Sequence, residues 1–310
     1  STVNSLDPAT CGDTTSSAVQ THCFEGLYSY HYLKRPAEII PLLAAELPTV
    51  SEDGLTYTIP IRKGVRYSRN ECFGFDANGL PATREVTAHD FVLALKRIGD
   101  YHLANGTLAQ VLLSDRIVGF YEYRDLTETY DKNDVSHYND LEIEGVTALD
   151  DYTLQLKLSE PFPQLIYVLA MHNFAPVPHE VVSYYLADKT LPEIREAEEV
   201  VCTGAYVMAK YDNKKPIVFV RNPEFRTMTY PTEGTEEDRL AGLLDDAGKQ
   251  VPFIDIIHWD FVEEDFTGWQ MFLSGEIDAS PISEELFDSV VNPNRELQGK
   301  WRAKGITMHV

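Results

Sequence analysis

The chain has 310 residues, with 49 acidic against 26 basic side chains and a formal net charge of −23. A field of that sign repels nucleic acid and anionic membrane surfaces, and it favours solubility. The 44% hydrophobic content supports a packed core in one large domain or two, and apolar runs such as Leu165 to Ala170 are far too short to span a bilayer.

In chain order, Leu6-Asp7-Pro8 opens an irregular stretch, and Ser16 to Leu27 reads as a helix. Ser51-Glu52-Asp53-Gly54 is a turn. After it Tyr57, Ile59 and Ile61 alternate with polar neighbours, the mark of a half-buried strand. Pro60 cannot donate to a ladder, which predicts an edge position for that strand. Thr87 sits where a helix N-cap belongs, and Asp90 three residues on completes a short capping box. Phe91, Val92, Leu95 and Ile98 then form one apolar stripe, and Gly99 stops the helix. On physics alone this is a surface helix. The tyrosine- and acid-rich stretch 122–140 reads as a surface excursion. Tyr152, Leu154, Leu156 and Leu158 alternate cleanly, predicting a strand. Pro176-Val177-Pro178 is a rigid extended joint, and Glu180 to Leu186 starts another helix. Residues 202–225 suggest a hairpin, 231–250 a surface loop or short helix, and 253–261 a strand. Trp269 to Leu273 lies on a helix closed by Gly275.

Four cysteines stand at 11, 23, 72 and 202. With no Cys-x-x-Cys, they lack zinc-site spacing. Buried thiols are one reading. One or two disulfides in an oxidising compartment are the other, and four cysteines leave three possible pairings.

Six motifs resemble the family 5 extracellular solute-binding proteins, the peptide- and nickel-binding receptors of bacterial ABC importers. They are Leu6-Asp7-Pro8 with Phe24-Glu25-Gly26-Leu27; Asp53-Gly54-Leu55-Thr56-Tyr57-Thr58 with Arg62-Lys63-Gly64-Val65; Val86 to Val92; Leu149 to Leu154 with Ser159-Glu160-Pro161-Phe162-Pro163; Thr203-Gly204-Ala205-Tyr206 with Arg221-Asn222-Pro223; and Ser274 to Asp278. They follow the family's order. Tyr67 stands where such proteins usually carry tryptophan. The resemblance implies an α/β periplasmic-binding-protein-like fold of type II, in the large peptide-receptor class, with mixed sheets flanked by helices. It implies that 1–24 and 179–310 form lobe I, that 25–178 is an extra subdomain inserted in it, and that the second ligand-binding lobe lies outside this chain. Ser1-Thr2-Val3-Asn4 reads as a trimmed start, and the whole as an incomplete fold.

The resemblance also implies a ligand-binding edge at the turn Cys11, Gly12, Asp13 and Thr14, a second at Ala279, Ser280, Pro281 and Ile282, and a contact from His172. Peptides are gripped through main-chain hydrogen bonds, so such a site needs exposed backbone and no special residue type. No catalytic signature competes with this. Gly-x-Ser-x-Gly, Gly-x-x-x-x-Gly-Lys and Gly-x-Gly-x-x-Gly are all absent, and His179-Glu180 lacks a second histidine at metal-binding spacing. Glu25 reads as a structural acid. The expectation is therefore a non-enzymatic receptor without cofactor or metal. It captures oligopeptides or dipeptides in the periplasm or outside the cell and delivers them, as a monomer, to an ABC permease in the membrane. A membrane anchor on a removed N-terminal segment, a nickel-chelate or oligosaccharide ligand, and a hydrolase on the same scaffold stay open as alternatives.

Overall fold

The computed structural model describes residues 2–212, 216–262 and 264–308. Two compact units are present, one spanning Thr2–Trp259 and the other running from Asp260 onward.

The larger unit is built around the helix Ala88–Gly99. Its start follows the local chemistry: the Asp90 carboxylate accepts the Thr87 N–H at 2.9 Å. The same carboxylate also takes a bidentate grip from Arg84, at 2.7 and 2.8 Å, while Arg84 holds Glu180 with a second pair of bonds. The cap is thereby tied into tertiary structure. Gly99 does not act as a left-handed stop. It is the last helical residue, and a Cβ there would lie 2.9 Å from the Tyr123 ring, so glycine is required by close packing.

The helix is not a surface helix either. Lys96 and Arg97 on its polar side are buried along with the apolar stripe. The stretch 122–140 is what covers it. Helices Phe120–Thr127 and His137–Asp140 bring Tyr123, His137 and Tyr138 into the core. There Tyr138 donates to buried Asp100 at 2.7 Å and Lys96 donates to the Tyr138 carbonyl at 3.0 Å. Tyr138 and His137 are buried because Asp100 receives them, and Tyr123 because its ring packs on Gly99.

Beneath the helix lies a four-stranded antiparallel sheet in the order Thr49–Val50, Thr56–Pro60, Thr153–Lys157, Val146–Asp150. Tyr57 pairs with Leu156 and Ile59 with Leu154, all four buried. The alternation sends Thr58 and Gln155 to the other face. Each such leucine contributes roughly 1.5–3 kcal/mol of burial. Thr56–Pro60 is central, not an edge as Pro60 suggested. Pro60 lies beyond the residues paired with the short strand Thr49–Val50, and on that side it joins the sheet through its carbonyl, which accepts the Ala45 N–H at 2.8 Å and needs no proline N–H.

A second, three-stranded antiparallel sheet runs Ile256–Trp259, Ile217–Arg221, Tyr206–Lys210, so the expected hairpin and following strand are present. The first helix is shorter than expected, Thr14–Gln20. It stops because the chain beyond it is claimed by other partners. The Cys23 carbonyl accepts from Gly204 at 2.8 Å, and Leu27 donates to Leu169 at 3.0 Å. The 180–186 helix is irregular, an α-turn His179–Val181 continuing as a wider π-turn Val182–Leu186. Glu236–Leu240 is a short exposed helix within 231–250.

In the smaller unit, helices Asp265–Ser274 and Glu284–Val290 pack Trp269, Leu286, Val290, Val291 and Leu297 into one cluster. Gly275 ends the first of them at φ +80°, a conformation that favours glycine. Trp301 stands edge-on to Trp269 with ring centres 5.3 Å apart.

Candidate ligand-binding edges

The Leu-Asp-Pro motif acts as an anchor. Asp7 is fully buried. One carboxylate oxygen accepts the Ala9 N–H at 3.0 Å and caps the one-turn helix Pro8–Thr10. The other accepts from Ile194 N–H at 3.0 Å and from the Arg97 guanidinium. Arg97, also fully buried, reaches on to the Pro192 carbonyl at 3.1 Å. This pair was not foreseen from the sequence. Its one signal is an aspartate directly before proline, an N-cap for a proline-started turn.

From that anchor the chain enters the predicted edge. Cys11 is buried, and burial pushes its thiol up to about 11, with the Asp13 charge adding to the effect. It is therefore a neutral thiol at physiological pH, with no nucleophilic character. Gly12 is exposed, and a Cβ there would meet nothing within 4 Å. Asp13 caps the helix Thr14–Gln20 by accepting the Ser16 N–H at 2.9 Å and the Ser16 hydroxyl at 2.7 Å. Burial alone would raise its pKa; those hydrogen bonds outweigh it and hold the carboxyl below its ordinary value. Thr14 opens the helix and is exposed. The turn thus presents backbone at Gly12 and Thr14 on a rigid base.

His172 belongs to the one-turn helix His172–Phe174, and this segment is brought to the same place. Its neighbour Asn173, buried, donates to the Pro8 carbonyl at 3.0 Å and to the Cys11 carbonyl at 3.1 Å. Asn173 is the residue that sequence reasoning missed, since nothing local marks it as a long-range clamp. The His172 Nε2 is buried with no hydrogen-bond partner among the described residues, and burial lowers the ring's pKa to about 4. It is a neutral imidazole with one polar nitrogen unpaired among the described residues.

Ala279 to Ile282 lie in the smaller unit, on an irregular segment between its two main helices. They line a hollow of about 1900 Å³ whose walls include Trp269, Phe272, Ile277 and Phe287. Ala279 and Pro281 are exposed, and the Ser280 hydroxyl donates to the Pro281 carbonyl at 3.2 Å.

The other acids are committed elsewhere. Glu25 is held by Arg226 through two bonds of 2.7 and 2.8 Å and by the Thr203 hydroxyl at 2.9 Å, the arrangement of a structural acid. Glu180 is bound to Arg84. Among the described residues no three histidine, cysteine or acidic side chains are grouped to hold a metal.

Residues 38–307 match the model for bacterial extracellular solute-binding proteins, family 5. The chain belongs to that family. Among family relatives, it is 29% identical over 220 residues to the oligopeptide-binding protein AmiA of Streptococcus pneumoniae, covering 71% of this chain and 29% of that protein. It is 27% identical over 224 residues to the probable deoxycholate-binding periplasmic protein YgiS of Escherichia coli, covering 71% of this chain and 35% of that one. The pheromone receptor PrgZ, solved for its mode of peptide binding, superposes with a TM-score of 0.65 at 25% identity, covering 92% of this chain and 46% of that chain. The chain thus spans under half the length of the family members it matches. The α/β fold is that of its structural neighbours, periplasmic peptide-binding proteins among them.

Proposed function

We propose that this chain is the ligand-gripping part of a peptide receptor of an ABC importer, working in the periplasm or outside the cell without catalysis. The observation that carries the reading is the Cys11–Thr14 turn. Its exposed residues Gly12 and Thr14 stand on the Asp7–Arg97 anchor, with Asn173 clamped to the Cys11 carbonyl. An extended peptide takes main-chain hydrogen bonds from such an edge, whatever its side chains. In this reading 1–24 and 179–310 contribute to one lobe with 25–178 inserted, and Ala279–Ile282 is a second gripping segment beside the apolar hollow. Ligand contacts with two lobes stabilise a closed state that the permease recognises. A substrate-binding role agrees with relatives described as oligopeptide-, dipeptide- and deoxycholate-binding proteins, and the −23 charge gives no purchase for nucleic acid.

A non-peptide solute is the second reading, favoured by the likeness to a relative described as deoxycholate-binding. The two separate on one measurement. The protein purified from its native compartment is denatured, and the released small molecules are identified by mass spectrometry. Short peptides with mixed side chains support the first reading. A steroid acid or another single non-peptide species refutes it in favour of the second.

A further inference from the structure

Cys23 and Cys202 lie far apart in sequence and meet in the interior of the larger unit. Cys23 is fully buried and Cys202 is 1% exposed. The Cys23 carbonyl accepts the Gly204 N–H at 2.8 Å, and the His22 carbonyl accepts the Tyr206 N–H at 3.3 Å, so 22–23 and 204–206 run alongside one another. The two sulfurs sit over one strand. The Cys202 thiol faces the Tyr206 carbonyl at 3.4 Å, and the Cys23 sulfur takes a hydrogen bond from the Met208 backbone. The Cys202 side chain, together with burial, pushes the Cys23 thiol well above its usual range. Both cysteines are in the thiol form in this structure. Cys11 and Cys72 make their contacts elsewhere, Cys11 with the Asp13 carbonyl and Cys72 with Asn70.

We propose that Cys23 and Cys202 are a disulfide site, closed by a disulfide oxidant as the chain folds, which ties the base of the Cys11–Thr14 edge to the 206–221 hairpin. The chemistry balances with glutathione disulfide as the oxidant. One cysteine thiolate attacks a glutathione sulfur and expels one glutathione thiolate. The second cysteine thiolate then attacks the protein sulfur of the mixed disulfide and expels the other. The protein loses two hydrogens and two glutathione thiols carry them away. Because both sulfurs are buried in the folded unit, the exchange proceeds while this region is open and stops once it has closed.

The bond has a mechanical consequence. Cys23 directly precedes Phe24-Glu25-Gly26, and Cys202 directly precedes Thr203, whose hydroxyl donates to Glu25. A cross-link there locks in place the Glu25–Thr203–Arg226 knot that follows the first helix. It removes chain entropy from the unfolded state across a very long loop.

The test refolds the chain from denaturant with glutathione disulfide, denatures it again, blocks free thiols with N-ethylmaleimide and maps the unreduced peptides. Two blocked thiols, at Cys11 and Cys72, are expected, together with a cross-linked peptide pair containing Cys23 and Cys202. Four blocked thiols, a lasting glutathione adduct on Cys23, or a cross-link involving Cys11 or Cys72 would overturn the proposal. Cys202→Ser is expected to abolish the cross-link. The mapping of the unsubstituted chain decides the matter even if that variant folds poorly. The oxidised protein is also expected to melt above the reduced one, and equal midpoints would overturn the mechanical role.

Discussion

Asp7 offers the sharpest trial of the account of the Leu-Asp-Pro anchor. Replacing it with alanine removes the partner of a guanidinium that is itself fully buried. It also strips the Ala9 and Ile194 N–H groups of their acceptor. Breaking a buried pair from one side costs about 3–5 kcal/mol, because the remaining charge has neither water nor partner. In a unit of this size that corresponds to a fall in the melting midpoint on the order of 10 °C. Urea and thermal unfolding followed by circular dichroism measure it. The double variant Asp7→Leu with Arg97→Met separates lost attraction from uncompensated charge. It is expected to be more stable than Asp7→Ala alone, because no charge is left buried. An Asp7→Ala protein within about 1 kcal/mol of the parent would refute the reasoning, since that is the range of an exposed pair. A double variant as unstable as the sum of its singles would do the same.

Other consequences follow from the same geometry. Asn173→Ala leaves the buried Pro8 and Cys11 carbonyls without a donor, costs about 1–3 kcal/mol, and is expected to weaken ligand binding more than a comparable loss elsewhere; calorimetric titration with the identified ligand checks the difference. In Gly204→Ala the new Cβ would lie 2.7 Å from the Cys23 carbonyl carbon and closer still to its oxygen, backbone atoms that cannot yield. A loss of about 1–3 kcal/mol is expected in chemical denaturation, with Gly12→Ala, which meets nothing, as the neutral control. His172 gives a pH dependence. Its ring titrates at about 4 in the folded protein, against about 6.5 when unfolded, so the unfolded chain binds the proton first as pH falls. The contribution is complete above pH 6.5 and is lost progressively from there towards pH 4, up to about 3 kcal/mol. His172→Phe is expected to flatten the stability profile in that window, and an unchanged slope would remove His172 as its source.

What could be read from the sequence depends on whether a residue's partner is near it along the chain. Thr87 and Asp90 are three apart, and Leu154 and Leu156 two apart, so the helix and strand they define were visible as spacing. Tyr123, His137 and Tyr138 looked solvated because each is polar, and nothing nearby tells that Asp100 and the helix at 88–99 will receive them. The same limit shortened the first helix. The apolar pattern of Val19, Phe24 and Leu27 runs past Gln20, but the Cys23 carbonyl is bound by Gly204 and Leu27 by Leu169, and those tertiary bonds end the helix. Pro60 misled for the opposite reason: its missing N–H was read correctly, yet its carbonyl alone joins it to the neighbouring segment, through the Ala45 N–H.

The motif order pointed to the Cys11–Thr14 turn as a candidate edge, and it could not reveal what holds that turn. Arg97 and Asn173 come from remote segments, and each carries a polar group that only the folded chain makes useful. The consequence for function is concrete. A binding edge made of backbone is selective only so far as it is rigid, because a flexible edge would lose in ordering entropy what its hydrogen bonds gain. The buried charge at Arg97 and the Asn173 clamp supply that rigidity from outside the motif. Substitutions at those two positions should therefore alter ligand affinity without touching the ligand, whereas changes to the exposed side chain of Thr14 should leave the backbone grip intact.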